Sequence, residues 1–264
     1  MRKGIYIIAI TLFFVQCATV PITGRKQVKL LPNSQMTELS FSQYEQFKSE
    51  SKLLPDNDPR VQLVKKVGVK VSGAVRQFMM DNKMDDRLKE FQWEFNVTEE
   101  GTVNAWCMPG GKVMFYTGIL QVCDGEEGIA TVMGHEVAHA VARHGNERMS
   151  QQLSVQGLGM GLSVLMNEQP ETVKALSNVA FGVGSQVGML KYSRVHESEA
   201  DKMGLVFMTM AGYDPNEAVK FWERMAAMKN GQAPPEFLST HPSDERRIND
   251  IKSFIPEAKK LANK

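Results

Sequence analysis

Between Gly134 and Gly145 the chain reads GHEVAHAVARHG, a stretch that holds three of its 5 histidines. His135, Glu136 and His139 form the pattern H-E-x-x-H. On a helix, four residues make about one turn, so both imidazoles share a face, ~6 Å apart along the axis. Their ring nitrogens can converge on one zinc ion, and Glu136 is placed beside them to accept a proton from water that such an ion polarises. The surrounding Ile129, Ala130, Val132, Met133, Val137, Ala138 and Val141 are apolar, which predicts a helix buried over much of its surface. Unpartnered polar groups in a core are costly, so two histidines and a glutamate there call for a ligand.

Two imidazoles do not complete a catalytic zinc site, which usually takes three protein ligands and keeps one open position. The downstream stretch His196-Glu197-Ser198-Glu199-Ala200-Asp201 supplies a candidate. Glu197 and Asp201 are four apart and share one helical face. Glu197 is the expected third ligand, and Asp201 is expected to accept the other N–H of a ligating imidazole and so fix its tautomer. Glu199 points away from both and reads as a solvated charge. His144 and His196 read as structural.

These groups need elements to hold them. Ser34–Ser49 reads as a helix, and Arg60–Met80 as a longer one with Val61, Val64, Val67, Val71 and Val75 on its apolar stripe. Phe91–Val97 alternates like a strand. Thr102–Cys107 and Lys112–Tyr116 flank Pro109-Gly110-Gly111 and read as a hairpin. Glu126–His144 is the active-site helix, with Gly145 as its expected stop. Residues 150–190 are rich in Gly, Met and Ser and read as two loosely packed helices around NEQPET, open to a role as a lid or a membrane hairpin. A separate helix is expected at Ser193–Ala211, another after Asp214-Pro215, and a last short one from HPSDERRINDI. The predicted class is α+β, mainly α with a small antiparallel β-sheet.

HEVAH at His135 followed by ESEAD at Glu197 resembles the gluzincins. Within them it resembles the zinc metallopeptidase family of the CAAX prenyl protease, the Oma-type stress protease and bacterial periplasmic lipoprotein peptidases. CATVPITGRKQ, NAWCMPGGKVMFYTG and HPSDERRI are similar to segments of bacterial members. The resemblance implies one Zn²⁺ per chain held by His135, His139 and Glu197. Glu136 would be general base and then proton donor to the leaving amine. His241 would cover or contact the metal, and Arg247 would sit nearby. Asn104, Ala105 and Trp106 are the expected substrate strand, pairing by β-augmentation with an extended polypeptide. The implied activity is endopeptidase cleavage of unfolded or misassembled envelope proteins. The competing reading keeps the fold as a non-catalytic, chaperone-like peptide binder.

The rest of the chain bounds these readings. With 264 residues and 42% hydrophobic content it can build one sizeable core. A net charge of +1 gives no reason to expect nucleic acid as a partner. Arg2 and Lys3 precede an apolar run, Ile5–Val15, followed by Cys17. This suggests residues 1–16 as a secretory signal, Cys17 as a lipidation site, residues 17–33 as a tether and 34–264 as the peptidase domain, anchored to the outer membrane and facing the periplasm. Gln16 is a poor residue before a lipidated cysteine, so an uncleaved anchor, an ordinary signal and a transit peptide stay open. Cys107 and Cys123 read as small buried hydrophobes rather than a disulfide.

Overall fold

A computed structural model describes residues 16–228, 236–242 and 245–263. The predicted signal sequence, up to Val15, lies outside the described residues, as does the expected chain break at Pro234-Pro235. The elements run β1 (Gln16–Thr19), β2 (Lys26–Lys29), α1 (Asn33–Glu50), α2 (Pro59–Asp81), α3 (Asp85–Leu88), β3 (Glu94–Thr98), β4 (Ala105–Met108), β5 (Lys112–Tyr116), α4 (Thr117–Cys123), α5 (Glu126–Val141), α6 (His144–Met166), α7 (Glu171–Met210), α8 (Asn216–Ala227), α9 (Glu236–Thr240) and α10 (Glu245–Ala262). The fold is mainly α with small sheets.

The main core is built around α5, which is buried along nearly its whole length. The valine stripe of α2 lies on one side, with Val61, Val64, Val67, Val71 and Val75 all fully buried. The entry to α2 is fixed by Asp58, whose carboxylate caps Arg60 N–H, and by Pro59 in the first turn. On another side lies α7. Gly134 and Gly204 let the two helices touch backbone to backbone: a Cβ at Gly134 would lie 2.8 Å from Gly204 O, and one at Gly204 2.9 Å from His135 N. This contact sits beside His135 and one turn beyond Asp201, so it sets the spacing between the two motif-bearing helices.

The sheet runs β3-β5-β4, with β4 antiparallel to β5 as the Pro-Gly-Gly turn demands and β3 added parallel on the far side of β5. The sheet is therefore mixed rather than purely antiparallel, because the chain leaves β3, passes β5 and returns to it through the hairpin. A second small core, Tyr44, Met114 and Tyr116 with Phe47 and Trp106, joins α1 to the sheet.

Four expectations change. The segment read as a tether is a docked hairpin: β1 pairs with β2, with Cys17 opposite Val28. Val20 is buried in the core, and Gln27 donates to Ala142 O at 2.9 Å. The α5 helix stops at Val141, and the left-handed residue that turns the chain is Arg143 (φ 59°), not Gly145, which lies inside α6. Arg143 is held there by Glu90, at 2.8 and 3.0 Å. The helix expected to begin at Ser193 is the second half of one 40-residue helix, because no breaker interrupts the small-residue run before it. The last helix is not short but spans 18 residues.

The far halves of α6 and α7 form an arm with exposed Leu158, Met160, Val164, Leu165, Leu176 and Val179. Among the described residues, no helix is long and apolar enough to cross a membrane.

Candidate metal centre

The two motifs meet as predicted. His135 Nε2, His139 Nε2, Glu197 and His241 Nδ1 bring one donor atom each to a single point, all within 4.8 Å of one another. His135 Nε2 lies 3.1 Å from His139 Nε2 and 3.1 Å from His241 Nδ1. The Glu197 oxygens lie 3.4 Å from both paired imidazoles and 2.8 Å from His241 Nδ1. Ligands at about 2.1 Å around a tetrahedral zinc would stand about 3.4 Å apart.

A cation fits this point, and further groups contact the two imidazoles from behind. His135 Nδ1 faces Asp201 Oδ1 at 3.0 Å, an ion-pair contact on the side of the ring away from Nε2, which points into the cluster. His139 Nδ1 faces His144 Nδ1 at 2.9 Å, and His144 Nε2 faces Glu199 Oε2 at 3.1 Å. The carboxylate takes the proton of His144 Nε2. Burial, chiefly, lowers the pKa of His144 to about 4 against the pull of Glu199, so His144 is neutral and its Nδ1 must accept. His139 therefore carries its proton on Nδ1, and its Nε2 is a lone pair. The two Nε2 atoms, 3.1 Å apart, converge with Glu197 on one point, where a cation can stand in place of the proton that Asp201 and Glu197 otherwise draw onto His135.

The electrostatics agree. Burial opposes the charge on Glu197, but His139, His135 and His241 hold its carboxyl well below the usual range. Burial likewise works against Asp201, and Arg247, with 2.8 Å contacts to both oxygens, outweighs it. Burial disfavours a charged His135, yet Asp201 and Glu197 lift its pKa to about 9. Glu136 is different. It is 4% exposed, burial raises its pKa, and Oε1 has no protein hydrogen-bond partner among the described residues; His241 Nε2 lies 3.5 Å from it.

Each predicted residue can be placed. His135, Glu136 and His139 come from α5, Glu197 and Asp201 from α7, His241 from just after α9, and Arg247 from α10. Arg247 also lies 3.3 Å from Glu197 and stacks over Trp222 at 3.6 Å. The strand β4 is a sheet edge whose Cys107 thiol feels the charge of Glu136. Asn104 O accepts from Tyr116 N–H, so alternation turns the backbone of Ala105 and Cys107 outward and that of Trp106 inward. The Trp106 ring does not face the edge: it packs edge-on to Tyr44 and Phe47. The Asn104 side chain is engaged with Ala105 N–H and Glu236.

Glu199 corrects the reading of a solvated charge. It is 4% exposed and accepts from Thr23, Arg25 and His144. His144 and His196 stack at 4.3 Å, and His196 meets Glu147 at 2.9 Å, so all 5 histidines belong to one connected cluster. The signal was present as the i, i+3 spacing of His196 and Glu199, which places both on a second face of α7. No sequence feature announced that the start of α6 would cover that face.

Residues 72–255 match the family described as peptidase family M48. The chain is 32% identical over 249 residues to the mitochondrial metalloendopeptidase OMA1 of Schizosaccharomyces pombe, covering 93% of this chain and 68% of that relative. It is 32% identical over 264 residues to the protein of the same name from Saccharomyces cerevisiae, covering 94% and 72%. It is 33% identical over 162 residues to a putative beta-barrel assembly-enhancing protease of Vibrio cholerae, covering 59% of this chain and 33% of that relative.

Proposed function

Because this chain belongs to peptidase family M48 and is a metallopeptidase, we propose that it is a zinc-dependent endopeptidase that cleaves extended segments of unfolded or misassembled envelope proteins. The observation that carries the metal assignment is the convergence of His135 Nε2, His139 Nε2 and Glu197 on one point, with Asp201 and His144 set behind the two rings. One Zn²⁺ per chain held there supplies Lewis acidity, polarising water and the scissile carbonyl.

The protein's own groups do the rest. Glu136 takes the proton of the attacking water through its unpartnered oxygen and returns it to the leaving amine. Its burial raises its proton affinity and suits it to that exchange. Asp201 holds His135, and Arg247 holds Asp201. His241 Nδ1 stands among the donor atoms, and four protein ligands would close the site. His241 must therefore withdraw for a carbonyl and water to enter, which makes it a gate on the open position.

Substrate pairs as an added strand along β4, through the outward C=O of Ala105 and the N–H and C=O of Cys107. Backbone pairing reads little side-chain identity, and only an unfolded segment can present itself this way. A recess beside His139, lined by Glu90, Phe91, Pro109 and Arg143, takes a side chain next to the scissile bond. The envelope setting is supported by the signal-like start of the chain and by the name of the Vibrio relative. In this reading Cys17 carries a lipid anchor.

The test compares a reduced, unfolded envelope protein with its native form as substrates. We expect cleavage of the unfolded form alone, abolished by a chelator and restored by about one equivalent of zinc. Binding without cleavage under zinc-loaded conditions would instead establish a peptide-binding module.

A further inference from the structure

The two imidazoles of H-E-x-x-H are each held from behind by a chain of contacts of the same construction. His135 leads to Asp201, whose two oxygens are clamped by Arg247 at 2.8 Å each. His139 leads to His144, then to Glu199, whose two oxygens are clamped by Arg25 at 2.9 Å each. Both carboxylates come from α7, two residues apart. The arginines come from opposite ends of the chain: Arg247 from α10, Arg25 from the turn between β1 and β2.

We propose that Arg25 is a positioning residue for the metal centre, and that the N-terminal hairpin is a working part of the site rather than a spacer before it. The inference rests on the metal-centre reading above. Arg25 acts through Glu199 and His144 to set the tautomer and ring orientation of His139.

Three observations support the assignment. First, the guanidinium joins two buried carboxylates at once. Nη1 and Nη2 donate to Glu147 at 2.7 Å each, and Nε and Nη2 donate to Glu199. Glu147 and Glu199 are 2% and 4% exposed, and this one guanidinium bridges the two buried carboxylates. Second, the contacts run unbroken from Arg25 to the ligating ring: Arg25 Nη2 meets Glu199 Oε2 at 2.9 Å, His144 Nε2 meets the same oxygen at 3.1 Å, and His144 Nδ1 meets His139 Nδ1 at 2.9 Å. Third, the hairpin is fastened independently of Arg25. Thr23 donates to Glu199 at 2.8 Å, Gln27 donates to Ala142 O at 2.9 Å, and Val20 is 1% exposed. Arg25 is thus presented from a fixed platform. A lysine could not replace it, because a single ammonium does not span four carboxylate oxygens.

The experiment uses the full chain as wild type, Arg25→Ala, Arg25→Lys, Glu199→Gln and Val20→Ala. Val20→Ala loosens the packing of the hairpin but removes no group of the relay. Zinc affinity is measured by competition with a chromophoric chelator, the unfolding midpoint by urea on zinc-free protein, and the His139 tautomer by long-range ¹H–¹⁵N correlation on the same zinc-free protein. Arg25→Ala and Glu199→Gln are expected to weaken zinc binding by about ten- to a hundredfold and to lose the pure Nδ1–H tautomer of His139. Arg25→Lys should recover only part of the affinity. Val20→Ala should stay within about twofold of wild type even where its midpoint falls as far as that of Arg25→Ala. If Arg25→Ala does not fold, Arg25→Lys and Glu199→Gln decide the matter on the same readouts. Zinc affinity unchanged in the relay variants, or weakened equally in Val20→Ala at equal destabilisation, overturns the proposal while leaving the metal centre standing. A wild-type protein that binds no zinc overturns both.

Discussion

Replacing Glu136 by glutamine is expected to lower kcat on an unfolded substrate by about 10²- to 10⁴-fold, with KM and bound zinc almost unchanged. The substitution keeps shape and volume in a position that is 4% exposed, so the fold has nothing to repair. Glutamine cannot accept the proton that the reaction must remove from water. Glu136 contributes no donor atom to the metal-ligating group, so the metal stays. On this account the proton goes to the buried oxygen without a protein partner, beside His241. A fluorogenic unfolded substrate, assayed with zinc content measured on the same samples, separates loss of chemistry from loss of metal. Equal, chelator-insensitive rates in wild type and variant would remove Glu136 from the chemistry and leave only the peptide-binding reading.

Arg247→Leu is expected to destabilise the zinc-free protein by about 3–5 kcal/mol, a large share of the roughly 5–15 kcal/mol that a domain of this kind has in total. Arg247 is 8% exposed, and it lies against Asp201 at 2.8 Å and Glu197 at 3.3 Å. It also donates to Pro242 O at 3.0 Å and stacks on Trp222. Leucine keeps part of the stacking surface but leaves buried Asp201 without the cation that chiefly holds its charge, and removes a neighbouring cation from Glu197. Burial would then push a proton onto Asp201, and the support it gives His135 would weaken. Zinc affinity should fall with stability. Urea titrations with and without excess zinc check both. Zinc should recover part of the loss, since it binds the folded state and replaces some of the missing positive charge. A change below about 1 kcal/mol would show that the carboxylates have another source of compensation.

The grouping of the site residues was more legible in the sequence than the scaffold that orients them. H-E-x-x-H and the Glu197/Asp201 pair are local patterns: each is contained in one helical turn, so periodicity alone puts its members on a common face. Those residues meet where the patterns say. His241 was reached only through resemblance, because a lone histidine before Pro242 carries no periodic signal, and it does lie among the donor atoms.

What the sequence hid depends on contacts between distant segments. Glu199 is offset by two residues from Glu197 and so lies on another face of α7, where only the fold decides between water and a partner. The hairpin of residues 16–29 was hidden because its strands are four residues each and its Pro21 and Gly24 resemble those of a loop. Its partners, Glu147 and Glu199, are more than a hundred residues away. The end of α5 was misplaced because glycine is the usual left-handed residue, and here an arginine takes that conformation under the hold of Glu90. The outward face of β4 depends on register, and the Trp106 ring goes into the second small core.

The most direct test of the central claim is the metal content of the purified chain, measured by elemental analysis after loading and exhaustive dialysis, beside His139→Ala and Glu136→Gln. Three convergent donors predict one zinc per chain in wild type and in Glu136→Gln, and almost none in His139→Ala. Wild-type protein that retains no zinc, or His139→Ala that retains as much as wild type, would contradict a metal ion held between α5 and α7.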